Sequence, residues 1–135
     1  MTWGWRPVTL GGVPINVLVV DDDPSFRVTV ATLLRLRGFA VSGFASDQDE
    51  TLEFVSTSGP DAVLLDISLP GPGGLDTLKK LKARGWSGPV LLTSSNSEAV
   101  SNSLALESGA VGFVPKEELA TADLRAYLQP GPRNG

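Results

Sequence analysis

Short apolar runs alternate along this chain with stretches whose apolar residues recur every three or four positions. Residues 15–20 form the first run, and their β-branched, unbroken apolar character predicts a strand buried on both faces. Asp23-Pro24 then reads as a helix N-cap followed by a first-turn proline. Phe26, Val30, Leu33 and Leu34 continue at helical spacing until Gly38 closes the element. Residues 39–44 predict a second strand. Ser46-Asp47-Gln48-Asp49 resembles a capping box and opens a helix that carries Leu52 and Val55 and stops at Gly59-Pro60. The same alternation gives a third strand at 62–65, a helical face from Leu75, Leu78 and Leu81 ending near Gly85, and a fourth strand at 89–92. A Ser/Asn-rich helix over 97–108 follows, with Val100, Leu104 and Leu106 as its main apolar contributors. A fifth strand at 111–114 and a last helix striped by Ala120, Leu124, Tyr127 and Leu128 complete the pattern.

Repeated strand–helix units predict an α/β fold: a doubly wound, five-stranded parallel sheet with helices on both faces, flavodoxin-like in its strand order 2-1-3-4-5. Residues 15–128 form this domain. Residues 1–14 lack periodicity and are read as an irregular extension, whose Trp3 and Trp5 pack on the domain or on a partner. Residues 129–135 carry breakers and no core residues, so a flexible tail is expected there.

Composition narrows the chemistry. The chain has no Cys and no His, which excludes disulfides, thiolate or imidazole metal sites, and a Ser-His-Asp triad or phosphohistidine built from this chain alone. A net charge of −4 with scattered basic residues speaks against direct nucleic-acid binding. Neither a signal peptide nor a long apolar span is present, so a cytoplasmic location is expected.

In the predicted strand order the winding reverses between the first and third strands, and ligands bind beyond the carboxyl ends at such a point. Asp21, Asp22 and Asp23 follow the first strand and Asp66 ends the third. Asp21, Asp22 and Asp66 therefore share one cleft, where like charges about 4 Å apart repel by roughly 4 kcal/mol at an effective dielectric of 20. A hard divalent cation with oxygen ligands offsets that repulsion, and Mg²⁺ suits such a site. The competing reading makes the triplet a solvated turn with Asp23 as N-cap, and Asp66 a strand-end acid. Thr93 closes the fourth strand and Lys116 follows the fifth, so a hydroxyl and an ammonium reach the same edge and make a receptor for phosphoryl oxygens.

Four segments in this order resemble the receiver domain of two-component response regulators: 17–22 ending in Asp21-Asp22, 63–74 running from Val63 through Asp66 to Pro70-Gly71-Pro72-Gly73-Gly74, 89–94 with Thr93-Ser94, and 109–116 ending in Pro115-Lys116. The resemblance covers residues 15–128 and is to the single-domain type. It implies that Asp66 accepts a phosphoryl group. It further implies that Asp22 and Asp66 bind Mg²⁺ or Mn²⁺ directly, that Asp21 does so through water, and that the Ser68 backbone carbonyl is a further ligand. Thr93 would bond the phosphoryl oxygen and shift with it, Lys116 would pair with the phosphoryl group or Asp66, and Phe113 would be the switch aromatic. Ser94 leaves the site accessible, and Ser68 and Ser95 flank it and tune the lifetime of the phosphorylated form. Glu117 stands where the family often has Pro, and Gly73 where it often has an acid.

By the same resemblance the chain is a signalling switch that promotes only its own aspartyl phosphorylation and dephosphorylation. A partner histidine kinase or phosphotransfer protein supplies the phosphoryl group. A downstream protein then reads the face made by the fourth helix, fifth strand and fifth helix, roughly residues 96–128, with the chain a monomer or a phosphorylation-dependent dimer. Two other classes stay open. A phosphatase with an aspartyl nucleophile would need an acid two residues beyond Asp66, where Ser68 stands. A binding module would keep the fold without phosphorylation. A nucleotide-binding module is disfavoured, because no Gly-rich loop follows the first strand.

Overall fold

The structure is a computed structural model and describes residues 9–10, 13–95 and 102–130. Two short strands, β1 (Thr9–Leu10) and β2 (Val13–Pro14), pair antiparallel with Leu10 opposite Val13. Residues 9–10 and 13–14 of the segment read as irregular are therefore paired strands, and its residues 1–8 and 11–12 lie outside the described residues. The sequence between the strands is Gly11-Gly12, a dipeptide suited to tight hairpins, and two-residue strands are too short to show a period. Trp3, Trp5, Val100 and the 131–135 tail lie outside the described residues.

The main sheet contains β3 (Asn16–Val20), β4 (Ala40–Ala45), β5 (Ala62–Asp66), β6 (Val90–Ser94) and β7 (Gly112–Pro115), in the spatial order β4-β3-β5-β6-β7. All its pairings are parallel. Counted within this sheet the order is 2-1-3-4-5, as expected. Successive side chains of the central strands point to opposite faces. Val17, Val19, Leu64 and Leu91 pack with Val30 and Leu34 of α1 (Pro24–Leu36) and with Leu124 and Leu128 of α5 (Leu124–Leu128). Leu18, Val20, Val63, Leu65 and Leu92 pack on the other face with Leu52 and Val55 of α2 (Gln48–Ser58) and with Leu78 and Leu81 of α3 (Gly74–Ala83). Ala105 of α4 (Asn102–Glu107) joins that second core. Two-sided burial is why these strands read as unbroken apolar runs.

Three expectations need correction. The box opening α2 sits one residue on: Asp47 accepts from the Glu50 N–H at 2.9 Å, while Glu50 accepts from the Ser46 N–H at 2.7 Å. On α4, Leu104 and Leu106 are 42% and 52% exposed, and Ala105 between them is buried. At about 100° per residue, seating position 105 on the sheet turns both its neighbours away. The last helix starts at Leu124, not near Ala120. Lys116–Glu118 forms a separate 3₁₀ turn, Asp123 caps α5, and the Arg37 guanidinium donates to the Ala120 and Ala122 carbonyls, taking up backbone groups of the non-helical link. Among the described residues no helix is long and apolar enough to cross a membrane.

Candidate functional site

Register sets the site. Val20 pairs with Leu65, so Asp21 follows beside Asp66; Asp66 pairs with Thr93, and Thr93 with Val114, two residues before Lys116. Carboxylate oxygens of Asp21, Asp22 and Asp66 all lie within 4.8 Å of one another. Asp21 and Asp66 are 0% and 3% exposed, whereas Asp22 faces solvent. The three converge as the strand order predicted. Asp23 is instead the N-cap of α1, its carboxylate accepting from the Ser25 N–H at 2.9 Å.

Backbone contacts hold the cluster still. Asp21 Oδ1 accepts from the Asp23 N–H at 2.8 Å, and the Asp21 carbonyl accepts from Arg27 Nη1 at 2.9 Å. Asp66 Oδ1 accepts from the Ser68 N–H at 2.9 Å, which folds the chain back after β5. Just beyond, Gly73 adopts φ 90° and ψ 170°, a conformation open to glycine and costly to other residues. That conformation accounts for glycine at this position. The Gly73 carbonyl accepts from the Thr77 hydroxyl at 2.8 Å and so helps to start α3.

Lys116 reaches into the cluster from the start of the 3₁₀ turn. Its Nζ forms an ion pair with Asp21 Oδ2 at 2.6 Å and contacts Asp66 Oδ2 at 3.4 Å. The exposed Glu117 that follows does not prevent this reach. Burial raises the Asp21 pKa above the ordinary carboxylate range, Lys116 and the Asp23 amide pull it down, and the charge on Asp66 pushes it up again. For Lys116 burial pulls the pKa down, but the Asp21 and Asp66 carboxylates more than offset this and leave it raised. The ammonium is thus a fixed positive charge between two buried acids.

Two hydroxyls stand at the end of β6, beside Asp66 in the sheet. Thr93 is fully buried and its Oγ1 donates to the Val114 carbonyl at 2.7 Å, so it is turned toward β7. Ser94 is buried with its Oγ 3.3 Å from Ser68 Oγ, while Ser95 is exposed. Phe113 is half-buried against the second core. Asp22 also lines an open cleft of about 630 Å³ with Asp47, Gln48, Pro70 and Gly71. One neighbour was not singled out by its sequence. Phe26, read as part of the helical core stripe, places its ring centroid 4.1 Å from Lys116 Nζ. An aromatic residue on the first turn after an acidic strand end was the available signal.

Hard oxygen donors with two buried carboxylates and an adjacent exposed one suit a small divalent cation. Among the described residues Asp21 Oδ2 has the Lys116 ion pair but no aligned hydrogen bond, and so retains lone-pair capacity.

The receiver-domain profile of response regulators matches residues 17–129. The response regulator MprA of Mycolicibacterium vanbaalenii is 33% identical over 121 residues, which are 87% of this chain and 52% of that protein. The sensory transduction protein RegX3 of Mycolicibacterium smegmatis is 37% identical over 122 residues, 88% of this chain and 53% of that protein. The chain therefore spans about half the length of the curated relatives it matches. Among solved structures, the signal receiver domain of NarL from Mycobacterium tuberculosis superposes with a TM-score of 0.74 at 33% identity, covering 84% of this chain and 92% of that one. The BeF3-activated N-terminal receiver domain of Klebsiella pneumoniae RstA gives 0.73 at 31% identity, covering 84% and 98%.

Proposed function

The chain belongs to the response regulator receiver domain family, and on that premise we propose that it is a switch phosphorylated on Asp66 by a histidine kinase or phosphotransfer protein. The observation that carries this reading is the convergence of Asp21, Asp22 and Asp66 with the Lys116 ammonium between the buried acids. Asp22, Asp66, the Ser68 carbonyl and, through water, Asp21 would hold Mg²⁺ or Mn²⁺. Bound there, the cation would neutralise the carboxylates and the incoming phosphoryl oxygens.

The chain's own residues supply the rest. An Asp66 carboxylate oxygen attacks phosphorus in the donor, the new bond to oxygen forms as the donor's P–N bond breaks, and the leaving imidazole stays with the partner. Asp66 Oδ1 is held by the Ser68 N–H, so Oδ2, which the Lys116 ammonium contacts at 3.4 Å, is the nucleophile. Lys116 then exchanges a carboxylate contact for a phosphoryl oxygen. Phosphorylation adds negative charge and acceptor oxygens. The Thr93 hydroxyl leaves the Val114 carbonyl for them, and Phe113 turns into the space released. This local change biases a two-state element. The readout surface is the α4–β7–α5 face, where Leu104, Leu106 and Val111 are exposed. Its reader is a protein partner, and a phosphorylation-dependent dimer would use the same face. Ser68 and Ser95 tune the lifetime of the phosphorylated form. A cytoplasmic setting fits a kinase-supplied switch.

Intact mass after incubation with acetyl phosphate tests the reading. The wild type should gain the mass of one phosphoryl group with Mg²⁺ and none with a chelator. No gain with acetyl phosphate or phosphoramidate would move the weight to a module that binds partners without phosphorylation. Lys116→Met should slow the gain about a hundredfold, because it removes one charged donor from the transferring group. It should also lower the Mg²⁺ concentration at half-saturation in a calorimetric titration, since no ammonium then competes for Asp21.

A further inference from the structure

Resting on Asp66 as the acceptor, we propose that Phe26 is a positioning residue that keeps the Lys116 ammonium at the phosphoryl-transfer site through the face of its ring. Among the described residues the ammonium meets Asp21 Oδ2 at 2.6 Å, Asp66 Oδ2 at 3.4 Å and the Phe26 ring centroid at 4.1 Å. Both carboxylate contacts are contested. Asp21 and Asp66 belong to the acidic cluster that would hold the cation, and Asp66 is also the nucleophile. The ring competes with neither, because its π face attracts an ammonium and offers no oxygen ligand to a hard divalent ion. It is therefore a contact that Lys116 keeps while a carboxylate contact is exchanged.

The ring is itself well placed for this role. Phe26 is the third residue of α1, three positions beyond the Asp23 cap and directly before Arg27, whose guanidinium holds the Asp21 carbonyl at 2.9 Å. Its other side packs with the first core. A lysine stem has four rotatable bonds and a large conformational freedom to lose. Here the ring lies 4.1 Å from the ammonium, and the Lys116 side chain is 16% exposed. Limited access of water also strengthens the attraction between the ammonium and the developing negative charge.

The experiment combines NMR of ¹³C-labelled lysine with phosphorylation rates for wild type, Phe26→Leu and Phe26→Tyr. In the wild type the Lys116 ε-methylene protons should be shifted upfield by the ring, both without ligands and with Mg²⁺ and acetyl phosphate. The shift should vanish in the Leu variant and persist in the Tyr variant. At saturating Mg²⁺ the Leu variant should gain the phosphoryl group about fivefold more slowly, with the Tyr variant near wild type and all three melting together. An unshifted methylene in the wild type, a Leu variant at full rate, or a Tyr variant as slow as Leu overturns the proposal. If the Leu variant does not fold, the wild-type methylene shift decides. Absence of phosphoryl uptake by the wild type sinks the acceptor reading and this proposal together. Uptake by the wild type with an unaffected Leu variant sinks this proposal alone.

Discussion

Asp66→Asn is expected to abolish phosphoryl uptake from acetyl phosphate while leaving the protein at least as stable as the wild type without metal. The amide keeps the shape of the carboxylate, and its oxygen can still accept from the Ser68 N–H that binds Asp66 Oδ1 at 2.9 Å. The turn that sets up the site should therefore persist. The lost group is the anionic oxygen that attacks phosphorus, and no other carboxylate occupies the same position between the Ser68 turn and Lys116. Asp22 faces solvent, and Asp21 Oδ2 is already paired with the ammonium at 2.6 Å.

The stability half of this prediction follows from charge. Two carboxylates within 4.8 Å of one another repel by about 3 kcal/mol at an effective dielectric of 20, and the Lys116 ammonium between them offsets much of this. The charge on Asp66 is one of the causes that raise the Asp21 pKa. Neutralising residue 66 brings Asp21 closer to its ordinary value. A carboxyl whose folded pKa is raised binds a proton more readily in the folded state, so its ionisation costs stability as pH rises through that pKa. The Asn variant should therefore lose less stability than the wild type between acid and neutral pH in chelator. Intact mass and thermal melting at several pH values check the two halves. Uptake by the Asn variant would relocate the acceptor. A steeper loss of stability with pH would mean that Asp66 supports the Asp21–Lys116 pair instead of straining it.

The fold was largely legible because both its cores rest on a period. Val17 to Val20 and Val63 to Leu65 could be read as doubly buried strands, and the strand order brought Asp21, Asp22 and Asp66 to one edge, where the structure has them. What the period could not give is what short or contested elements decide. β1 and β2 have two residues each. On α4, three adjacent positions could face the sheet, and the small Ala105 does so while larger leucines stay outside. The segment before α5 is fixed by Arg37, 83 and 85 residues away from the carbonyls it binds. Which groups touch Lys116 also lies beyond a linear reading. Phe26 carried the spacing of a core residue, and only the helix's orientation over β3 brings its ring to an ammonium 90 positions later in the chain.

Gly74→Ala is expected to lower both stability and phosphoryl uptake, against the sign that helix propensity alone would give. Gly74 is the first residue of α3, and in an exposed helix an alanine there would stabilise by up to about 1 kcal/mol. A Cβ at this position would instead lie 2.4 Å from the Asp66 carbonyl oxygen and 2.7 Å from Ile67 Cα. Both obstacles are backbone, so no side-chain rotation relieves them. The Gly74 N–H donates to the Ile67 carbonyl at 3.0 Å and holds the start of α3 against the turn that carries the acceptor. Relief requires α3 to lift away or the 66–68 turn to move. Overpacking of this kind costs about 1–3 kcal/mol, enough to outweigh the propensity gain, and should lower the melting temperature by several degrees. The turn places Asp66 Oδ2 relative to Lys116 and the acidic cluster, and a displacement of about 1 Å can cost a hundredfold in transfer. Folded Gly74→Ala protein should therefore gain the phosphoryl group far more slowly, at saturating Mg²⁺ and below its melting transition. A variant that melts higher than wild type and is phosphorylated at full rate would mean that α3 can shift without moving Asp66, and that the close approach of Gly74 to the acceptor's backbone does not hold the site in place.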